Sequence, residues 1–258
     1  MPALVEISMI EDAPKSSALL ALHQGTRMIS RINTSWVIPV ERPLVGWLAA
    51  KLPAAVTPDH LTLTGFAGAL ICGLAYGASW LSPALLWVAS AGLIVNWFGD
   101  SLDGTLARFR KIERPRYGFF IDNATDLLSQ ICIFLGLGAS PYMRFDVACL
   151  GLAAYYMVSF FNLIKAMDTR VIKIGFFGVG PTEIRLSLML YNFVLLTIGP
   201  WSVNTPFGPI SPIDGVVLVT IAFVLISFLV TVRFEVRRLA QEEDQEQSAP
   251  GSRHGSRA

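Results

Sequence analysis

Apolar residues in this chain gather into long runs parted by short polar connections, and six of the runs approach the length of a membrane-crossing helix. They cover residues 61–80, 83–98, 119–140, 147–164, 184–199 and 215–232. Crossing the hydrocarbon takes about 20 residues of helix, so the second and fifth are short as apolar stretches. Each can continue helically past its apolar core, and the second is expected to run on through Asp100 to Arg108. A helix satisfies its own backbone hydrogen bonds in lipid, so the pattern predicts an all-α integral membrane protein, a six-transmembrane-helix bundle. Ahead of the first run, residues 36–58 set Trp36, Arg42, Trp47 and Lys51 among Val, Leu and Ala, with Pro39, Pro43 and Pro53 interrupting. That mixture is too broken to span and suits an N-terminal interfacial helix along the cytoplasmic surface. A merely packed pre-helix is compatible with it.

Composition agrees, since 53% of the residues are hydrophobic and 15% charged, which excludes an ordinary soluble domain. A net charge of +1 gives no sign of nucleic acid as a partner. The placement of the charge is more telling. The second connection holds Arg110, Lys111, Arg114 and Arg116, just after Arg108. The fourth holds Lys165, Arg170 and Lys173, with Arg185 just beyond, and Arg233, Arg237 and Arg238 flank the last run. The first and fifth connections have no basic residue and the third only Arg144. This asymmetry predicts a multi-pass protein, in the cell membrane if bacterial, with both termini on the cytoplasmic side. Glu6, Glu11 and Asp12 stand where a signal peptide would be basic, so none is expected. Cys72, Cys132 and Cys149 fall inside predicted spans without paired spacing, which suits packing rather than a disulfide or zinc framework. The expected organisation is an N-terminal segment with the interfacial helix (1–57), a six-helix domain (58–238) and a disordered tail (239–258), with partial mobility before residue 35.

Four carboxylates alter this picture. Asp100 and Asp103 end the second run, and Asp122 and Asp126 open the third. Acids in or near a bilayer are costly and mark functional sites by default. The spacings i, i+3 and i, i+4 put each pair on one face of its own helix. Two such faces turned together make an oxygen-only cage of the kind that hard divalent cations, Mg²⁺ or Mn²⁺, prefer.

The full stretch reads Asp100-Ser101-Leu102-Asp103-Gly104-Thr105-Leu106-Ala107-Arg108, nine residues, then Gly118-Phe119-Phe120-Ile121-Asp122-Asn123-Ala124-Thr125-Asp126. It resembles the motif D-x2-D-G-x2-A-R-x8or9-G-x3-D-x3-D of the CDP-alcohol phosphotransferases, the CDP-alcohol phosphatidyltransferase superfamily. The resemblance implies that Asp100, Asp103 and Asp122 are metal ligands. Asp126 becomes the catalytic base for an acceptor hydroxyl, or a ligand of the second of two ions. It also implies a nucleotide site at Gly104, Ala107, Arg108 and Gly118. As plain residues, Gly104 and Ala107 could equally serve helix packing and Arg108 could be interfacial. Pro58-Asp59-His60-Leu61-Thr62 is similar to a Pro-Asn-x-Leu/Ile-Thr segment of the family, which would turn Thr62 toward the nucleotide. Asp59 replaces the usual Asn there and is also a fair helix cap, while His60 reads as interfacial.

A glycine-rich stretch leads to Pro181-Thr182-Glu183-Ile184-Arg185. With Lys165, Arg170 and Lys173, Glu183 and Arg185 make a candidate acceptor or phosphate pocket, against the plainer reading of a loop with positive-inside charge. The implied activity is transfer of a substituted phosphate from a CDP-linked donor to an alcohol acceptor with release of CMP. CDP-diacylglycerol is favoured as donor. A CDP-choline or CDP-ethanolamine donor with a lipid alcohol acceptor is the alternative, although that branch's usual His is Asn123 here. A cation-coupled transporter is the rival from another class, and it would want acids near the midplane of matching halves. The expected partners are donor, acceptor and membrane lipids, with a homodimer left open.

Overall fold

Each apolar run folds as a helix, and the helix ends fall where local chemistry sets them. The structure, a computed structural model, describes residues 30–33, 37–169, 171–174, 181–206 and 208–248. Its helices are α1 (Ile38–Lys51), α2 (Pro58–Gly77), α3 (Leu85–Phe109), α4 (Pro115–Gly138), α5 (Phe145–Thr169), α6 (Pro181–Ile198) and α7 (Pro212–Ser248). Four helical segments are long and apolar enough to cross a membrane: α2, α3, α4 and Pro212–Arg238 within α7. The apolar part of α5, Phe145–Phe161, is shorter. The protein is therefore mostly helical and multi-pass, while the count of six crossings rests on the apolar runs and the cytoplasmic orientation on the charge pattern.

Thr57 caps α2 in a reciprocal box: its Oγ1 accepts from the His60 amide at 3.3 Å, and His60 Nδ1 accepts from the Thr57 amide at 3.4 Å. His60 is thus half of a cap. Asp59 lies inside the first turn and pairs instead with Arg114, so it is not the cap residue. The second apolar run continues as expected, and α3 carries on past Asp100 through Arg108. It stops at Arg110, after which Lys111 takes a left-handed conformation with φ 56° and turns the chain away.

The structure departs from an all-α chain in two short pairings. β1 (Ser30–Asn33) pairs in parallel with β2 (Val171–Ile174), and β3 (Val203–Thr205) forms a hairpin with β4 (Gly208–Ile210). β-Branched residues in β2 suit this, but runs of three or four residues give no period to read. The second departure is the tail. α7 runs through Ser248, beyond the expected helix end near residue 238. The Gln- and Glu-rich segment after Leu239 consists of good helix formers, and extending an existing helix avoids the nucleation cost. The rest of the expected tail, 249–258, and most of the first 35 residues lie outside the described residues.

The central packing element is α2, which lies against both α3 and α4. Glycines let the backbones touch. A Cβ on Gly99 would run into the backbone of Leu61 and Gly65, and one on Gly136 into the backbone of Gly73. Two apolar clusters flank these crossings. The larger surrounds Cys72, Tyr76, Leu86 and Leu93, confirming Cys72 as a packing residue. The smaller joins Val45 and Ala49 of α1 to Leu61, Leu102 and Leu106. The helix expected before the first run therefore exists as α1. It buries one face while Val40 and Trp47 stay exposed, and Lys51 Nζ sits 3.9 Å from the Trp47 ring centroid. Arg110, read from sequence as one of a set of surface positives, has a defined task. Its guanidinium donates to the carbonyls of Leu52 at 3.0 Å, Pro53 at 2.8 Å, Ala54 at 3.3 Å and Val56, tying the α1–α2 turn to the end of α3.

Gly99→Val should destabilise the protein by more than the roughly 1–3 kcal/mol of ordinary overpacking, because backbone atoms cannot rotate aside. Gly118→Ala should be neutral or stabilising by up to about 1 kcal/mol through helix propensity, since nothing lies within 4 Å of an added Cβ. Thermal unfolding of both variants in one detergent checks the pair. An unchanged midpoint for Gly99→Val would contradict the packing account.

Candidate active site

Because α2 holds α3 on one side and α4 on the other, the ends of those two helices come to share a cleft. It is lined by all four motif acids, by Thr62, Gly65 and Phe66 of α2, by Asn96 of α3, and by Thr125 and Ser129 of α4. Asp100, Asp122 and Asp126 each present a carboxylate oxygen, all within 4.8 Å of one another. The i, i+4 spacing of Asp122 and Asp126 puts both on one helical face, and the close crossing of α2 brings that face to Asp100. Asp103 lines the same cleft but stands apart from this trio. It is buried, with one oxygen accepting from Thr62 Oγ1 at 2.6 Å and the other from the Gly104 amide at 2.5 Å.

Three carboxylates this close repel one another, by about 4 kcal/mol per ionised pair at 4 Å and an effective dielectric near 20. Part of that is offset by Arg185. Its Nη2 donates to Asp100 Oδ2 at 2.7 Å and its Nε to Asn96 Oδ1 at 2.8 Å, with the side chain 8% exposed. Asn96 in turn donates to the Gly65 carbonyl at 3.0 Å. One guanidinium against three acids leaves a negative, oxygen-only donor set. Such a set fits a hard divalent cation beside Asp100 and Asp122, with Asp126 within reach as a further ligand or as a base and Asp103 adjacent.

The other candidate residues divide by place. Gly104 and Ala107 are half-buried along the acid-bearing turns of α3, and Arg108 is exposed. A Cβ on Gly104 would meet nothing but the mobile Arg108 side chain, and one on Gly118 would meet nothing, so helix packing does not require either glycine. Arg108 Nη2 donates to Thr105 Oγ1 at 3.1 Å across one helical turn. Thr62 lines the cleft, and its hydroxyl is engaged with Asp103.

Of the candidate acceptor pocket, the side chains described are those of Glu183 and Arg185. Lys165 lies near the end of α5, Lys173 belongs to β2 with its backbone paired to Ile32, and Arg170 is outside the described residues. Arg185 is joined to Asp100, and Glu183 accepts from the Val37 amide at 3.2 Å, where α1 begins. Arg114 pairs with Asp59, and their hydrogen bond pushes the guanidinium pKa up.

Two residues important to this arrangement carry no motif. Asn96 could have been noticed as a polar residue inside an apolar run, one turn before Asp100. Glu41 accepts from Trp97 Nε1 at 2.7 Å, from Ser101 Oγ at 2.8 Å and from Thr182 Oγ1 at 3.2 Å. Its partners come from two distant helices, and no local spacing announces them.

Residues 55–233 match the family model described as CDP-alcohol phosphatidyltransferase. The chain is 37% identical over 133 residues to an archaetidylinositol phosphate synthase of Pyrococcus horikoshii, covering 52% of this chain and 65% of that one. It is 29% identical over 176 residues to a phosphatidylinositol phosphate synthase of Mycolicibacterium smegmatis, covering 67% and 72%. To cholinephosphotransferase 1 of Gallus gallus it is 26% identical over 190 residues, covering 69% and 55%. The matched stretches thus span less than two thirds of the archaeal and chicken proteins. The family match takes in every helix from the first turn of α2 to the middle of α7, and with it the whole acid-lined cleft; the chain belongs to the CDP-alcohol phosphatidyltransferase family.

Proposed function

We propose that this protein transfers a substituted phosphate from a CDP-linked donor, with CDP-diacylglycerol favoured, to an alcohol acceptor and releases CMP. The observation that carries this reading is the meeting of Asp100, Asp122 and Asp126 within 4.8 Å, with Asp103 fixed beside them. When bound there, two Mg²⁺ or Mn²⁺ ions neutralise the donor's pyrophosphate and polarise the bond to the leaving CMP. Asp100 and Asp122, from different helices, hold the cation site together, and Asp103 adds its carboxylate from the α2 side. Thr62 orients that carboxylate. Asp126, one helical turn along α4 from Asp122, takes the proton of the acceptor hydroxyl as it attacks the phosphorus. Gly104 and Gly118, which no packing demands, leave backbone open for the nucleotide, with Ala107 and Arg108 beside it.

Names of the relatives bear on the acceptor. By their printed names four relatives synthesise archaetidylinositol phosphate or phosphatidylinositol phosphate, and a phosphorylated polyol is the acceptor class proposed here. The cholinephosphotransferase matches keep the headgroup-donor reading as the alternative. A cation-coupled transporter is less favoured, because the acids gather at one junction of α3 with α4 instead of in matching halves. The basic residues from Arg108 to Arg116 support a cytoplasmic face for the cleft, which would expose it to cytoplasmic donors.

Purified protein should release CMP from CDP-diacylglycerol only with Mg²⁺ or Mn²⁺ present, losing activity in EDTA and regaining it on repletion. Asp100→Asn, Asp103→Asn and Asp122→Asn should each reduce turnover by orders of magnitude. Undiminished release in EDTA would rule the mechanism out, and release from CDP-choline alone would select the alternative donor.

Asp126→Asn should lower kcat by about 10²–10⁴-fold with donor affinity nearly unchanged, as expected for loss of a general base. Gly104→Leu should do the opposite, losing donor affinity first. If Asp126→Asn abolishes metal or donor binding, the residue is a ligand and not the base.

A cysteine at the exposed position Glu113, in a chain with Cys72, Cys132 and Cys149 replaced, should be shielded from impermeant thiol reagents in intact cells. Ready labelling from outside would reverse the orientation.

A further inference from the structure

Two cross-links join α3 to α6, one helical turn apart. In the first, Arg185 of α6 holds Asp100 and Asn96 of α3. In the second the helices are joined through a third element: Glu41 of α1 accepts from Trp97 and Ser101 of α3 and from Thr182 of α6. Ser101 adjoins Asp100, and Thr182 lies three residues before Arg185. Glu41 therefore braces the same two helices beside the Arg185–Asp100 ion pair, which competes with a cation for Asp100. The partners suit a carboxylate. An indole N–H and two hydroxyls all donate, and a charged acceptor makes each of these bonds stronger than a neutral one would. Among the described residues Glu41 forms no ion pair, and the hydrogen bonds of its carboxylate there go to α3 and α6.

We propose that Glu41 is a positioning residue for the metal site. By fixing the separation of α3 and α6 it seats Arg185 on Asp100, and so sets how readily Asp100 is released to a divalent cation. Arg185 is in this reading an internal counter-ion of the site, and the N-terminal helix α1 tunes metal affinity without touching the metal. The inference rests on the metal reading above.

The test is Mn²⁺ affinity of the full-length protein in detergent, measured by electron paramagnetic resonance for wild type, Glu41→Ala, Thr182→Val, Arg185→Met and the double variant Glu41→Ala/Arg185→Met. Thr182→Val cuts the α6 arm of the brace while keeping side-chain shape, so it stands in if Glu41→Ala folds poorly. Arg185→Met should tighten Mn²⁺ binding by removing the competing cation. Glu41→Ala and Thr182→Val should tighten it in the same direction by roughly threefold or more, the scale of coupling between side chains in contact. In the Arg185→Met background, Glu41→Ala should then have no further effect. Unchanged affinity in the Glu41 and Thr182 variants, or an equal effect with and without Arg185, would overturn the proposal. If wild type binds no Mn²⁺ at all, the metal reading itself fails; wild-type binding with unresponsive variants sinks only the role of Glu41.

Discussion

Backbone-to-backbone contact where α2 crosses α3 and α4 is the constraint on which the site depends. Gly68, Gly92 and Gly99 at one crossing, and Gly73 and Gly136 at the other, leave no room for a Cβ. In lipid there is little hydrophobic gain from pressing helices together, so close approach through small residues and interhelical hydrogen bonds has to hold them. That approach fixes how far α3 stands from α4, and hence whether Asp100 can lie within 4.8 Å of Asp122 and Asp126. A wider α2 would spread the acids beyond the reach of a single cation.

Polar side chains complete what the glycines begin. Asn96 ties α3 to the Gly65 carbonyl and also orients Arg185, so one buried amide joins α2, α3 and α6. Thr62 ties α2 to Asp103. Arg110 fastens the α1–α2 turn to the end of α3 through four carbonyls. These bonds converge on the acid-bearing turns, while farther along the bundle the apolar cluster around Tyr76 and Leu93 is joined by buried hydrogen bonds linking Tyr76, Asn192 and Ser90. Precision is concentrated where three carboxylates must be kept close against their own repulsion.

The sequence showed some of this and hid the rest for identifiable reasons. The helices were legible because apolar runs are a local signal, and Asp100, Asp122 and Asp126 were legible because helical spacing fixes which face each occupies. The extension of α3 through Arg108 followed from the same periodicity. β1 and β2 were not legible, since their pairing joins residues far apart in sequence and each strand is four residues long. The helical extension of α7 was obscured by composition, because a polar segment rich in Glu and Gln reads as disorder when its attachment to a preceding helix is ignored. Arg185 was noticed as a basic residue facing the site, but its commitment to Asp100 depends on how α6 packs on α3, which no spacing encodes. Glu41 was invisible for the same reason.

The central claim, that the carboxylates of α3 and α4 together hold the catalytic cation, is tested most directly by locating Mn²⁺ through its anomalous scattering in crystals of the full-length protein. The account predicts anomalous density between Asp100, Asp122 and Asp126, lost in the Asp122→Asn variant. Density elsewhere, or none among these residues at saturating Mn²⁺, would contradict it.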